Sequence, residues 1–312
     1  LIPFRAVLKA SRNDLPLSFG HIMAEIINVN GNLSPAASAT VPVLDHGFLY
    51  GDSVYETIRT YRGEPFLLGR HLDRLANSCR MIRLTPPGPA EIEREVRRTI
   101  ESGANEESYV RIMITRGVGP IGYEHALCPK PGLFVIVLPL RRVPPESYTA
   151  GIGATLGRRR RNPRESLDPA IKSCNLLNNV LAHMEAEDAG AKETILLNTR
   201  GFVAEGTHTN VFFVKANAVK TPALACGLLS GITREVVIEC ARESGLPLEE
   251  GEFTAGELED ADEIFVTSTL QEVLPVTRLD GKPIGGGAPG PVTRRLHELF
   301  RRRATPTSTA GR

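Results

Sequence analysis

Apolar positions at Ile26, Ile27 and Val29 run into an Asn30-Gly31 pair, a pattern that predicts a strand ending in a tight hairpin. A longer alternating, β-branched run, Val54 to Tyr61, predicts a second hairpin that turns at Arg62-Gly63 and returns through Pro65-Phe66-Leu67-Leu68. From Arg70 the period lengthens. Leu72, Leu75, Ala76 and Cys79 share one helical face, Pro86-Pro87-Gly88 ends that helix, and Ile92, Val96 and Ile100 mark another. Strands follow at Tyr109 to Thr115 and Leu133 to Leu140. They are separated by a Gly- and Pro-rich loop, Arg116 to Gly132, long enough to cover a site.

The segment 142–150, rich in Pro and charge at its start, reads as a linker between a smaller domain (23–141) and a larger one (151–303). In the second half the pattern predicts a short strand at Ala150 to Leu156 and a helix over 171–188 ending at Gly190. Strands at Glu193 to Leu197 and Thr209 to Val214 flank a loop from Asn198 to His208. A helix carrying Ile232, Val236, Val237 and Cys240 runs to Gly245, and the strand Ile264 to Val266 leads into Thr267-Ser268-Thr269. A hairpin at Asp280-Gly281 and a helix from Val292 to about Arg303 close the pattern. Residues 1–22 read as an irregular extension and 304–312 as a polar, disordered tail.

The 312 residues are 41% hydrophobic and 23% charged, as in a folded protein of two domains. With 37 basic and 36 acidic side chains, the balance gives no reason to expect nucleic acid or an anionic membrane as partner. No apolar run is long enough to span a bilayer and no signal core is visible, so a cytoplasmic protein is expected. Five scattered cysteines without C-x-x-C spacing support neither disulfides nor a zinc site, and the seven histidines do not fall at metal-ligand spacing, so no metal is expected.

Only seven of the basic residues are lysines, which draws attention to Lys172 in the segment Asp168 to Leu177, among small and apolar neighbours. Partial burial would disfavour its ammonium form, as an imine-forming amine requires, although a surface lysine near a helix start is the plainer reading. Gly231-Ile232-Thr233-Arg234 opens a helix whose free N–H groups could take a phosphate, with Thr267-Ser268-Thr269 and Arg74 as further donors; ordinary helix capping explains the first equally well. Glu205, placed between strands, is either a solvated loop carboxylate or the partner of a cation such as a pyridinium nitrogen. The basic run Arg158 to Arg161 reads as a solvated edge.

These pieces occur in an order that resembles the class IV aminotransferases, pyridoxal-phosphate enzymes of fold type IV, from Met23 to about Arg303. The resemblance rests on Leu49 to Glu56, His71-Leu72-Asp73-Arg74-Leu75, Ile171-Lys172-Ser173 and Ala204-Glu205-Gly206, then Leu229 to Arg234 and Thr267-Ser268-Thr269 with Glu272-Val273 and Pro275-Val276. It implies an α+β architecture with a smaller N-terminal α/β domain and a larger C-terminal domain built on a barrel-like sheet, with the cofactor between them. It further implies pyridoxal 5'-phosphate held by Lys172 as an internal aldimine, with Lys172 as the proton shuttle. Glu205 would face the pyridine nitrogen, Arg74, Ile232, Thr233 and Thr269 would hold the phosphate, and Leu229 would pack on the ring. The family's working unit is a homodimer in which each pocket is completed by the other subunit.

Within that family Tyr109-Val110-Arg111 looks like the Tyr-x-Arg of branched-chain aminotransferases, and Tyr50 and Tyr55 fit the aromatic positions lining their substrate pocket. The implied reaction moves the amino group of leucine, isoleucine or valine to 2-oxoglutarate. Thr57 stands where those enzymes usually have glycine, and Leu176 where many have tyrosine. The stretch Ile171 to Leu177 and Thr267-Ser268-Thr269 look more like D-amino acid aminotransferases, yet the loop Thr115 to Gly122 lacks the additional arginine with which those grip a carboxylate. A D-amino acid or (R)-amine transaminase is therefore the runner-up. An aminodeoxychorismate lyase-like enzyme, which shares the threonine after Glu56, and a noncatalytic phosphate-ligand binding protein are further alternatives.

Overall fold

The computed structural model describes residues 24–305. The extension 1–22 and positions 306–312 of the expected tail lie outside those residues, whereas Ala304 is the buried last residue of a helix, Pro291–Ala304.

Two sheets organise the chain. The first contains β1 (Ile26–Val29), β2 (Asn32–Pro35), β3 (Ser53–Tyr61), β4 (Glu64–Pro65), β5 (Ser108–Thr115) and β6 (Gly132–Pro139), in the order β2-β1-β6-β5-β3-β4. Every pairing in it is antiparallel. One face carries the helices Leu68–Met81 and Pro89–Gly103, which bury Val54, Ile58, Leu75, Val96, Val110 and Ile112 together. The opposite face of β3 and β5 presents Tyr55, Thr57 and Arg111, because successive side chains on a strand point to opposite sides.

The second sheet contains β7 (Ile152–Arg160), β8 (Glu193–Leu197), β9 (Val203–Gly206), β10 (Asn210–Lys215), β11 (Ala218–Pro222), β12 (Leu248–Gly251), β13 (Glu263–Ser268), β14 (Glu272–Leu279) and β15 (Lys282–Pro283). Its order is β12-β11-β10-β13-β14-β7-β8-β9, with β15 paired to β14. This sheet is buried on both sides. Phe212 and Val214 pack against the helices Ile232–Glu243 and Pro291–Ala304, whereas Val211 and Phe213 join Ile195, Val203, Phe253 and Leu274 on the other face. Burial of both faces explains why β10 is a continuous apolar run instead of an alternating one. The fold is the α+β arrangement of two domains, the second built on a curled half-barrel sheet.

Several sequence expectations need correction. The return strand after Gly63 is only Glu64–Pro65, because the helix already begins at Leu68. That helix buries His71 and Ser78 and exposes Ala76; the two polar residues are inside because each is hydrogen bonded at the cleft described below. The helix expected over 171–188 starts only at Leu177. Residues 171–176 are held instead by β3: Tyr55 N donates to Lys172 O at 2.9 Å and Cys174 N to Ser53 O at 3.0 Å. Glu205 belongs to strand β9, not to a loop. β11 and β12 have no counterpart in the sequence pattern, and of β14 only the end is anticipated, as the first strand of the hairpin at Asp280-Gly281. In β14 the obstacle is Pro275, which cannot donate to a ladder; β7 pairs with β14 only from Val276 onward, so that position lies at the open end of their pairing. The segment 142–150 contains a short helix, Pro145–Thr149.

Candidate active site

The pairing of the Lys172 segment with β3 draws a residue of the second half of the chain against the first sheet. A cleft opens there. Tyr55, Arg74, Lys172, Glu205, Leu229, Ile232, Thr233 and Thr269 all line it, along with Thr57 and Leu176. The fold thus gathers residues far apart in the chain into one concavity.

Lys172 makes no ion pair among the described residues, and its Nζ lies 4.6 Å from the centre of the Tyr55 ring. Burial, reinforced by the positive charge of Arg74, lowers its pKa to about 8 against the opposing pull of Glu56 and Glu205. Its backbone N–H donates to Ser78 Oγ at 3.1 Å, which accounts for the buried serine on the helix behind it. Tyr55 itself is pushed up to about 12 by burial. It is therefore a neutral phenol at ordinary pH.

Arg74 is not a free cation. Its Nε and Nη2 donate to the two oxygens of Glu56, both at 2.7 Å, and Nη1 donates to Ser230 O at 2.7 Å. His71 donates from Nδ1 to Glu56 Oε2 at 2.7 Å. Burial pushes the Glu56 carboxyl up, but Arg74 and His71 more than reverse this and lower its pKa to about 2. Burial lowers the His71 pKa as well, so the ring acts as a neutral donor. The arginine is fixed at the edge of the cleft by a carboxylate that is itself fully buried.

Glu205 is also charge-paired. Its Oε1 accepts from Arg161 Nε at 2.7 Å and its Oε2 accepts from Leu229 N at 3.0 Å. Asn210 Nδ2 donates to Leu229 O at 2.9 Å and approaches Glu205 Oε2 at 3.5 Å. Arg161, the last residue of the basic run, is buried, unlike Arg158, Arg159 and Arg160. The expectation of a solvated edge therefore fails at its final position, where β7 has ended and Arg161 N donates to Leu197 O.

A phosphate-sized anion has a prepared place. The helix Ile232–Glu243 begins without a side-chain cap at Gly231, leaving its first amides free at the cleft, and Thr233, Thr267, Ser268 and Thr269 stand around it. Thr267 Oγ1 is buried without a hydrogen-bond partner, an orphan that an added oxygen anion would satisfy. A Cβ at Gly231 would come within 1.9 Å of Asn210 Oδ1, so only glycine lets the turn lie this close to the carboxylate side of the cleft. A neutralisable amine, an opposed carboxylate and an anion cup together fit pyridoxal 5'-phosphate.

The other expected pocket residues lie elsewhere. Arg111 and Tyr109 are on β5 outside the lining of the cleft, although the Arg111 guanidinium sits 3.8 Å from the Tyr55 ring centre. Tyr50 lines a separate hollow with His46, Asp52, Arg116, Tyr123 and His125. Sequence reasoning misses Glu56, Arg161 and Asn210 as functional candidates. Each acts through another residue at long sequence separation, which no local pattern announces. His183, Glu193 and His208, which are not at ligand spacing in the sequence, converge beside the cleft.

Comparison with known proteins matches residues 53–279 to the family of amino-transferases class IV. A Methanocaldococcus jannaschii protein, named as a candidate branched-chain-amino-acid aminotransferase, is 41% identical over 276 residues, 88% of this chain and 95% of its own. A D-alanine aminotransferase of Bacillus licheniformis is 35% identical over 86% of this chain and 93% of its own. Among solved structures, the branched-chain amino acid aminotransferase of Thermoproteus uzoniensis with norvaline superposes with a TM-score of 0.82 at 30% identity, covering 89% of this chain and 94% of that one. The Escherichia coli branched-chain amino acid aminotransferase gives 0.83 at 29% identity, covering 92% and 97%.

Proposed function

The chain belongs to the class IV, pyridoxal-phosphate-dependent aminotransferases, and from that premise we propose that it transfers the amino group of a branched-chain L-amino acid to 2-oxoglutarate. The observation that carries an amino-acid donor is Arg111, which stands behind Tyr55 and not in the lining itself. This partly buried guanidinium forms no ion pair with a carboxylate among the described residues, yet it lies against the Tyr55 ring that also borders Lys172. It is a cation awaiting an anion near the reacting amine. Ile171, Leu176 and Leu270 supply apolar wall to the same cleft, which suits an aliphatic side chain.

Bound pyridoxal phosphate supplies an aldehyde that accepts the amino group and a ring that draws off electrons when Cα loses its proton. Lys172 Nζ would anchor the cofactor and then, once displaced, accept that proton as a neutral amine and return it as the ammonium. Glu205, fixed by Arg161 and Leu229 N, would set its charge against the ring nitrogen. The free amides at Ile232 and Thr233, with Thr269, would hold the phosphate, and Arg74 would border it while locked to Glu56. Leu229 would cover the ring. The chain's contribution is binding, orientation and one mobile proton.

We also propose a homodimer. Phe48 is 67% exposed, Ile121 79% and Tyr123 85%, and the short helix His46–Tyr50 and the loop that carry them lie together, joined by the Asp45 to Val118 bridge and by the Tyr50 and Tyr123 rings at 5.2 Å. An apolar patch of this kind on a polar chain marks a contact surface. In such a dimer Tyr50 would reach the partner's cleft and not its own. No helix among the described residues is long and apolar enough to cross a membrane.

The D-alanine aminotransferase relatives support a second reading, in which the donor is a D-amino acid. Bleaching of the long-wavelength band of the holoenzyme by single amino acids separates the two. L-leucine, L-isoleucine or L-valine should bleach it in a single-turnover experiment and D-alanine should not. The reverse result replaces the first reading by the second.

A further inference from the structure

We propose that His183, Glu193 and His208 form a binding site for a divalent transition metal of the zinc type beside the active-site cleft. Glu193 opens β8 and is only 1% exposed, yet no lysine or arginine pairs with it among the described residues. Four neutral donors surround it. Thr194 N, Thr207 N and Thr207 Oγ1 donate to Oε1 at 2.9, 2.9 and 2.5 Å, and Thr209 Oγ1 donates to Oε2 at 2.9 Å. Oε1 is thereby saturated, whereas Oε2 keeps an open lone pair. Burying an ionised carboxylate with no cation is costly, so the site calls for positive charge at Oε2.

Two imidazoles face that oxygen. His208 Nδ1 is 3.6 Å from Oε2, and the ligand atoms of His183, Glu193 and His208 all lie within 4.8 Å of one another. Bonds of about 2.0–2.1 Å place the ligands of a tetrahedral zinc ion about 3.3 Å apart, so the His208–Glu193 pair is within a few tenths of an ångström of that spacing and His183 would have at most about 1.5 Å to close. Two imidazole nitrogens and one carboxylate leave a fourth position for water, and this donor set selects zinc, cobalt or nickel over magnesium or calcium. The surroundings are built tightly. A Cβ on Gly206 would lie 2.1 Å from Thr209 Oγ1 and 2.9 Å from the Glu193 carboxyl carbon, so glycine is needed to seat the carboxylate there.

Thr207 Oγ1, which donates its proton to Glu193 Oε1, is 3.0 Å from His208 Nδ1 and 3.4 Å from His183 Nδ1, so without a metal these nitrogens could only donate to it and an ion would replace those contacts. On the far side of the His208 ring, Nε2 is 3.0 Å from the Gln271 amide, whose Oε1 is buried without a partner. Turning that amide over would let Oε1 accept from Nε2–H and would leave the Nδ1 lone pair free for a metal. His208 is 51% exposed at its side chain, which gives the ion a path in. Thr207, His208 and Thr209 also line the cleft, so the ion would sit in its wall, a short step along the chain from Glu205.

The test is a calorimetric titration of the pyridoxal-phosphate-loaded enzyme with zinc chloride, repeated on His183→Ala, His208→Ala and, as a control, His125→Ala, which opens the short helical turn His125–Leu127 and is no member of the cluster. Wild type and His125→Ala should bind one ion per chain with equal affinity, and each of the other two variants should bind at least about tenfold more weakly. Thermal midpoints supply an independent readout: zinc should raise that of wild type and leave that of His183→Ala/His208→Ala unmoved. Absence of a saturable site in wild type, or binding that survives both variants, overturns the proposal.

Discussion

Arg161 and Glu205 form a buried ion pair, Nε to Oε1 at 2.7 Å, between the end of β7 and the strand β9. The carboxylate that the family resemblance assigns to a pyridine nitrogen thus has a fixed cation on one side and the cleft on the other. It uses one oxygen for Arg161 and shares the second with Leu229 N. Two charges held this far from water are costly to separate, because removing one leaves the other uncompensated.

Glu205→Gln is accordingly expected to keep the fold and the bound cofactor, since the anion cup is untouched, while turnover falls roughly 10²–10³-fold. Arg161→Met should be more damaging to the cofactor site than its distance from the chemistry implies, because Glu205 is then buried unpaired. Its signature would be a shifted pH dependence of the cofactor absorption band, which a merely loosened fold would not produce. An Arg161→Met enzyme with unaltered turnover and spectrum would refute the role given to the pair.

Lys172 leads to a pH prediction. In the folded apoenzyme its pKa is lowered to about 8 by burial and by Arg74, against 10.5 when free. Below pH 8 the amine is protonated and cannot attack an aldehyde; above it the neutral form predominates. Recovery of the yellow cofactor band after adding pyridoxal phosphate to apoenzyme should therefore quicken as pH rises from about 7 to about 9 and level off beyond. Lys172→Ala should show no covalent attachment after borohydride reduction and nearly no turnover. A capture rate that keeps rising toward pH 10.5 would mean that the amine is not perturbed.

Much of this site was legible in the sequence because its members sit in short local motifs. Lys172, Glu205, Leu229, Ile232, Thr233 and Thr269 each belong to one, and all of them line the cleft. The helix amides behind Ile232 and Thr233 could be read from Gly231 followed by an apolar period. What escaped was carried by contacts at long separation. Glu56 meets Arg74 only because β3 lies under a helix, and Arg161 meets Glu205 only because β8 lies between their strands. A run of four arginines gives no sign that its last member turns inward. The late start of the helix at Leu177 has a similar origin: the preceding residues have helical composition, but pairing with β3 satisfies their backbone groups more firmly than one additional turn. Pro275 obscured only the first part of β14, as a residue unfavourable to strands tolerated where pairing with β7 has not yet begun.

The Glu56 clamp should set acid stability. Its pKa is about 2 folded and 4.5 in the free state, so its contribution is complete above pH 4.5 and is lost as pH falls through 2. The difference corresponds to on the order of 3 kcal/mol. Glu56→Gln should lower the thermal midpoint at neutral pH and flatten the pH dependence of stability between 2 and 4.5. It should also release Arg74 to move, weakening retention of the phosphate. Equal acid sensitivity in wild type and Glu56→Gln would show that the clamp contributes nothing to folding.

The exposed patch carries the last prediction. Phe48 on the short helix His46–Tyr50 and Ile121 and Tyr123 on the loop after β5 are locked together by His46 N donating to Gly117 O at 2.9 Å and by His46 Nε2 at 2.9 Å from Pro120 O. The patch is therefore a preformed surface and not a loose flap, and it needs no rearrangement to bury against a second copy. Ile121→Asp combined with Phe48→Asp places two charges in it, which a contact between identical surfaces would have to bury twice over. Sedimentation at micromolar concentration should show wild type as a dimer and the double variant as a monomer that keeps its secondary structure. If Tyr50 serves the partner's cleft, that monomer should bind the cofactor and lose affinity for the amino donor, raising KM more than it lowers kcat. A wild-type monomer with full activity would remove both the dimer and the reach of Tyr50 across it.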